Sequence, residues 1–200
     1  MAIPQKSHVQ KVLEPYHSTL LNIVSGAWAK WQSAELDLPP ASSRTRACVV
    51  WDAMIDRALD AFDDDPRVVV VSRFQTYYFL IDDQVGLRFK KGDEAGLSRN
   101  YPTQTALDFH EPDSDLFGTP DKVEVVYGLD RTESELSQVL VVARNGDQVA
   151  WAYDLTEMAA ADVIDLPVEQ PTPQHDARRV IRLKDDNAGS ERNEESGDDG

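Results

Sequence analysis

The chain has one cysteine, no glycine-rich phosphate loop, no long apolar run, and fewer basic than acidic residues. Each shortage removes a class of function. A single thiol, Cys48, cannot close an internal disulfide, so nothing calls for an oxidising compartment. Within Arg46-Ala47-Cys48-Val49-Val50 it reads as a small buried hydrophobe, and apolar surroundings raise a thiol's pKa and blunt it as a nucleophile. The start, Met1-Ala2-Ile3-Pro4-Gln5-Lys6, has no basic segment followed by an apolar one, so no signal peptide is expected. No stretch approaches the roughly 18 apolar residues of a membrane span. The expectation is a cytoplasmic protein without a membrane partner.

Catalytic signatures are equally scarce. His8, His17, His110 and His175 are scattered, with no pair at metal-ligand spacing. Gly92 and Gly96 are too few for a phosphate loop, and Ser98 and Thr103 have no nearby histidine for a triad. Neither a metal nor another cofactor is expected, and no catalytic residue can be named.

What is present is one domain's worth of chain. Among 200 residues 41% are hydrophobic, enough for a real core. Thirty-six acidic against 20 basic residues give a net charge of -16, which repels nucleic acid on average. Such a balance favours a basic partner, or a local basic patch in an acidic background.

Apolar residues at three- and four-residue spacing (Leu20, Ile23, Val24, Ala27, Trp28, Trp31) predict a helix within His8–Glu35, with Pro15 near its start or breaking an earlier turn. Leu38-Pro39-Pro40 forms a stiff connector. A second helix begins near Ser43 or Thr45, carries Val50, Met54, Ala58 and Phe62 on one stripe, and stops at Asp63-Asp64-Asp65-Pro66. β-Branched and aromatic runs predict strands at 68–71, 76–81, 85–90, 123–127, 136–143 and 149–153. Asn145-Gly146 marks a hairpin between the last two. A short helix is expected at 102–109, loop from 111 to 120, and a brief helix at 157–164. Beyond Asp185 only charged and small polar residues remain, which cannot bury enough apolar area to offset their ordering entropy. The expected architecture is α+β: a largely antiparallel sheet of five to six strands with helices packed on one face. Residues 1–40 form a helical segment and connector, 41–156 the α+β core, and 157–200 a proline-rich, then acidic, mostly disordered tail.

One surface stands out. With Asp82-Asp83-Gln84 as the turn, pairing Leu80 with Leu87 sets Phe79 opposite Arg88 and Tyr77 opposite Lys90 on a shared face. Rings across the strand could then hold the cations. Arg44 and Arg46 lie at a helix start, where the macrodipole prefers acids, so an anion nearby is expected. The candidate partner- or anion-binding set is Arg44, Arg46, Tyr77, Phe79, Arg88, Lys90, Lys91 and Arg99. Arg178 to Lys184 form a short basic-apolar patch that could fold onto a partner.

The helix–three strands–helix–strand order resembles the core of PD-(D/E)xK nucleases, whose chemistry needs an acidic-x-lysine triplet at a metal. Here that place reads Arg88-Phe89-Lys90, an arginine where the carboxylate belongs, and Asp82 and Asp83 sit away in the turn. A second resemblance covers the middle half of the chain. Ser43-Arg44-Thr45-Arg46 through Asp63-Asp64-Asp65-Pro66, Leu87 to Lys91, and Ser98-Arg99-Asn100-Tyr101-Pro102-Thr103-Gln104 resemble segments of an uncharacterised bacterial family of mobile or accessory regions. The resemblance implies neighbours that join a helix-turn-helix regulator to a metallopeptidase-like domain, as in toxin–antitoxin or phage-defence modules. It carries over no functional residues. The function expected is a partner-binding component of such a module, acting on a protein encoded nearby through the basic-aromatic face, with nucleic acid as a further possible ligand. The alternative is a nuclease or other nucleic-acid-acting toxin.

Overall fold

Pro15 divides the N-terminal helical stretch. In the computed structural model, which describes residues 3–34, 42–73, 76–98 and 120–161, helix α1 (Lys6–Leu13) passes through a 3-10 turn at Glu14–Tyr16 into α2 (His17–Ser33). Proline lacks the N–H that a continuous helix would need there. Helix α3 (Ser43–Phe62) starts one residue earlier than expected, with Ser42 as its cap: the Ser42 Oγ accepts the Thr45 N–H at 3.2 Å. The helix ends where Asp65 takes over: its carboxylate accepts the Arg67 N–H at 2.9 Å and the Tyr16 hydroxyl at 2.8 Å.

Six strands follow: β1 (Val68–Arg73), β2 (Thr76–Ile81), β3 (Val85–Lys91), β4 (Asp121–Leu129), β5 (Leu136–Asn145) and β6 (Gln148–Asp154). A short helix, α4 (Leu155–Ala161), closes the described chain. All of this lies in the unit Met1–Ile164. The expectations for 102–109, for 111–119 and for the C-terminal tail fall outside the described residues, as does Arg99.

The strands lie in sequence order, β1-β2-β3-β4-β5-β6. Neighbours are antiparallel except β3 and β4, which run parallel and so cannot be joined by a tight hairpin. Just after β3, Gly92 forms an antiparallel bridge with Ser98. A Cβ on Gly92 would stand 2.2 Å from Val126 Cγ1, so only glycine lets the backbone lie this close to β4.

Helices α1, α2 and α3 pack on the other face. Phe79, Leu87, Phe89, Val125 and Val141 from the sheet share one core with Leu13, Leu20, Val24, Val50 and Met54. The Phe62 ring stands 5.9 Å from Tyr16 and 5.5 Å from Phe79, tying the end of α3 to the sheet. Cys48 corrects the sequence reading. It is exposed, because it lies on the opposite side of α3 from Val50, Met54 and Ala58.

Candidate functional site

The β2–β3 turn decides which residues can form a site. Asp82 and Asp83 both adopt positive φ, 50° and 56°, and the loop closes with three residues between Ile81 and Val85. The register is therefore Phe79↔Leu87 and Leu80↔Gly86, one residue away from the expected pairing. A one-residue slip exchanges faces. Tyr77 and Phe79 consequently lie on the helix side: Phe79 is fully buried, with its ring 5.7 Å from Phe89, and Tyr77 packs 6.3 Å from Trp51. They do not face Arg88 and Lys90. Among the described residues the cation–π contacts are elsewhere, Arg67 over Tyr16 at 5.0 Å and Lys6 over Tyr153 at 6.0 Å.

Arg88 and Lys90 do share a face, the second one, but Arg88 is only 2% exposed. In the parallel register it sits beside Glu124, and its Nε and Nη2 donate to Glu124 Oε1 at 2.9 and 2.5 Å. Ser98 Oγ donates to Glu124 Oε2 at 2.6 Å, and Arg144 Nη1 lies 3.9 Å from that oxygen while donating to Ser98 O and Oγ at 3.3 and 3.1 Å. One buried carboxylate thus gathers two arginines and a serine. Lys90 is half-buried alongside. Burial, and then the Arg88 charge, pull its ammonium pKa down from 10.5 to about 8, against an opposing pull from Glu124. Its sequence signal was the Arg-x-Lys alternation; nothing local announced Glu124 as the partner.

Arg46 and Lys91 form a separate cluster on the helix side. Both pair with the Glu133 carboxylate, Lys91 Nζ at 2.7 Å and Arg46 through Nη2. Glu133 itself is held at φ 53° in a turn built by Asp130, whose carboxylate accepts the N–H groups of Thr132, Ser134 and Glu135. The anion expected near the start of α3 is therefore the protein's own. Arg44 is exposed on the first turn and makes no ion pair among the described residues.

The predicted surface is thus divided among two sheet faces and a helix end. No group of three metal-ligating side chains occurs among the described residues, and Glu124 is fully engaged as an acceptor. Among the described residues the carboxylate cluster that nuclease chemistry of this kind uses is therefore not assembled.

A different surface emerges at the sheet's edges. At β6 the N-terminal segment meets the outer strand at two points: Trp151 Nε1 donates to Pro4 O at 2.6 Å and Lys6 Nζ to Ala152 O at 2.8 Å. At β1 no further strand follows, and among the described residues no backbone hydrogen bond crosses its outer side from Val69 to Ser72. Val69 and Val70, on opposite faces, are 48% and 37% exposed. Four consecutive valines mark a strand in the sequence, and only the strand order makes that strand an edge.

Compared with family models, with curated proteins and with solved structures, the chain matches none. No helix among the described residues is long and apolar enough to cross a membrane.

Proposed function

We propose that the protein is the partner-binding component of a bacterial toxin–antitoxin or defence-like module, and that it binds through the open edge of β1. The observation that carries this reading is the pair of exposed valines, Val69 and Val70, on a strand with no outer strand neighbour among the described residues. Natural edge strands are blunted by lysine, proline, a bulge or a covering segment. Among the described residues the β1 edge has none of these between Val68 and Val71, whereas at β6 the Lys6 side chain takes up the Ala152 carbonyl. An extended segment from another protein would satisfy the free N–H and C=O groups by strand addition. The module itself rests on the resemblance of segments 43–66, 87–91 and 98–104.

Co-expression with the product of the adjacent gene, followed by pull-down, tests both parts. A complex forms with the unaltered chain and is weakened at least about ten-fold by Val69→Lys with Val70→Lys, since lysine on an edge opposes pairing. Loss of the complex with Arg44→Glu, but not with the valine variants, would return the interface to the basic residues. No complex at all, with both proteins folded, overturns the partner-binding reading.

A further inference from the structure

We infer that the occupant of the β1 edge is an extended basic segment of a partner protein, β-branched along its length, added antiparallel to β1 with its lysine or arginine residues at its C-terminal end. This inference rests on the β1 interface proposed above and adds the occupant's chemistry and direction.

Charge at one end of β1 selects the occupant. The strand begins directly after Asp63-Asp64-Asp65-Pro66-Arg67, and the turn that carries Asp82 and Asp83 is stitched to that start: the Asp82 N–H donates to Arg67 O at 2.8 Å and the Val68 N–H to Asp65 O at 3.1 Å. Asp65 is already satisfied. Its carboxyl is held below the usual range by the Arg67 N–H, then by the Tyr16 hydroxyl, with the Arg67 side chain also contributing. Arg67 lies over the Tyr16 ring and bonds Asp65 through Nε at 3.4 Å, so its charge is committed. Asp63, Asp64, Asp82 and Asp83 make no ion pair among the described residues. These four carboxylates therefore put negative charge beside the beginning of an otherwise apolar edge, with Asp82 alone among them acting on the Arg67 charge.

The apolar part selects the rest of the segment. Val69 pairs with Leu80 and Val70 with Phe79, so the two valines present apolar surface on both faces of the sheet. A strand added there gains most from β-branched side chains, which pack well on a pleated surface. Antiparallel pairing is the more stable of the two arrangements, and it lays the C-terminal end of the added strand beside the acidic start of β1. A second copy of this chain meets the local pattern, because β1 itself ends in Arg73. It also brings another net charge of -16, which opposes self-association.

Three eight-residue peptides test the inference on the full-length protein: Thr-Val-Thr-Val-Thr-Val-Arg-Lys, the same core ending in Glu-Glu, and Arg-Lys-Thr-Val-Thr-Val-Thr-Val. Affinity is measured by amide chemical-shift titration, following Val69 to Ser72. The first peptide shifts these amides and binds about ten-fold more tightly than the glutamate peptide at about 50 mM salt, with the preference shrinking at about 0.5 M. Equal affinities would overturn the basic chemistry while leaving the edge intact. Tighter binding of the third peptide would overturn the direction. Absence of β1 shifts with every peptide overturns the proposed occupant, and the edge itself is judged separately by the valine variants in pull-down. Sedimentation of the chain alone is expected to show a monomer; a dimer abolished by Val70→Lys would make a second copy the occupant instead.

Discussion

Replacing Glu124 with alanine is expected to be among the costliest single changes in the sheet. The carboxylate is 1% exposed and accepts from Arg88 Nε at 2.9 Å, Arg88 Nη2 at 2.5 Å and Ser98 Oγ at 2.6 Å. Its removal takes from the Arg88 guanidinium, itself 2% exposed, the carboxylate oxygen to which both Nε and Nη2 donate. Breaking a buried pair in this way costs about 3–5 kcal/mol, because desolvation of the survivor is no longer offset. For a domain of this size, about 2–4 °C of melting temperature goes with each kcal/mol, so Tm should fall by roughly 6–20 °C. The pairing also makes a sharper statement about non-additivity. Arg88→Met should cost far less in the Glu124→Ala background than alone, since the Arg88–Glu124 pair is then already broken. Thermal and urea unfolding of the two single variants and the double variant would measure this. A loss below about 1 kcal/mol for Glu124→Ala, with additive single effects, would refute the reasoning and mean that water reaches the carboxylate.

Lys90 should give the sheet a basic-side pH dependence. Its folded pKa of about 8 lies below the ordinary 10.5, so between those values the unfolded chain binds more protons and this group makes stability rise with pH. Lys90→Met should therefore stabilise the protein at pH 7 and gain little at pH 10; an equal gain at both would contradict a depressed amine. Cys48, exposed on α3, should react with a thiol reagent such as DTNB in the native protein. Reaction only after denaturant would bury it, as its sequence context suggests.

Local signals carried the elements well and their partnerships poorly. The stripes of α2 and α3 and the six β-branched runs all appear where periodicity puts them, because each depends on residues a few positions apart. Face assignment failed at one turn: Asp82 and Asp83 both tolerate left-handed backbone, which lengthened the loop by one residue and turned Tyr77 and Phe79 to the helix side. Arg88 was taken for a surface cation and is buried, and Arg46 is paired inside the protein, because their counter-charges lie far off in the chain. Glu124 is 36 residues from Arg88, across a parallel pairing that local pattern does not reveal, and Glu133 is 87 from Arg46. The β1 edge was missed for the same reason, since a valine run becomes an edge only through the order of strands.

Hydrogen exchange of the complex with the neighbouring gene's product tests the central claim most directly. In the free protein, amides of β1 that point outward should exchange readily. On complex formation the segment Val68–Arg73 should gain protection, while the Arg44–Arg46 turn of α3 stays unchanged. A complex that protects other segments and leaves Val68–Arg73 exchanging as before would contradict an interface at the β1 edge.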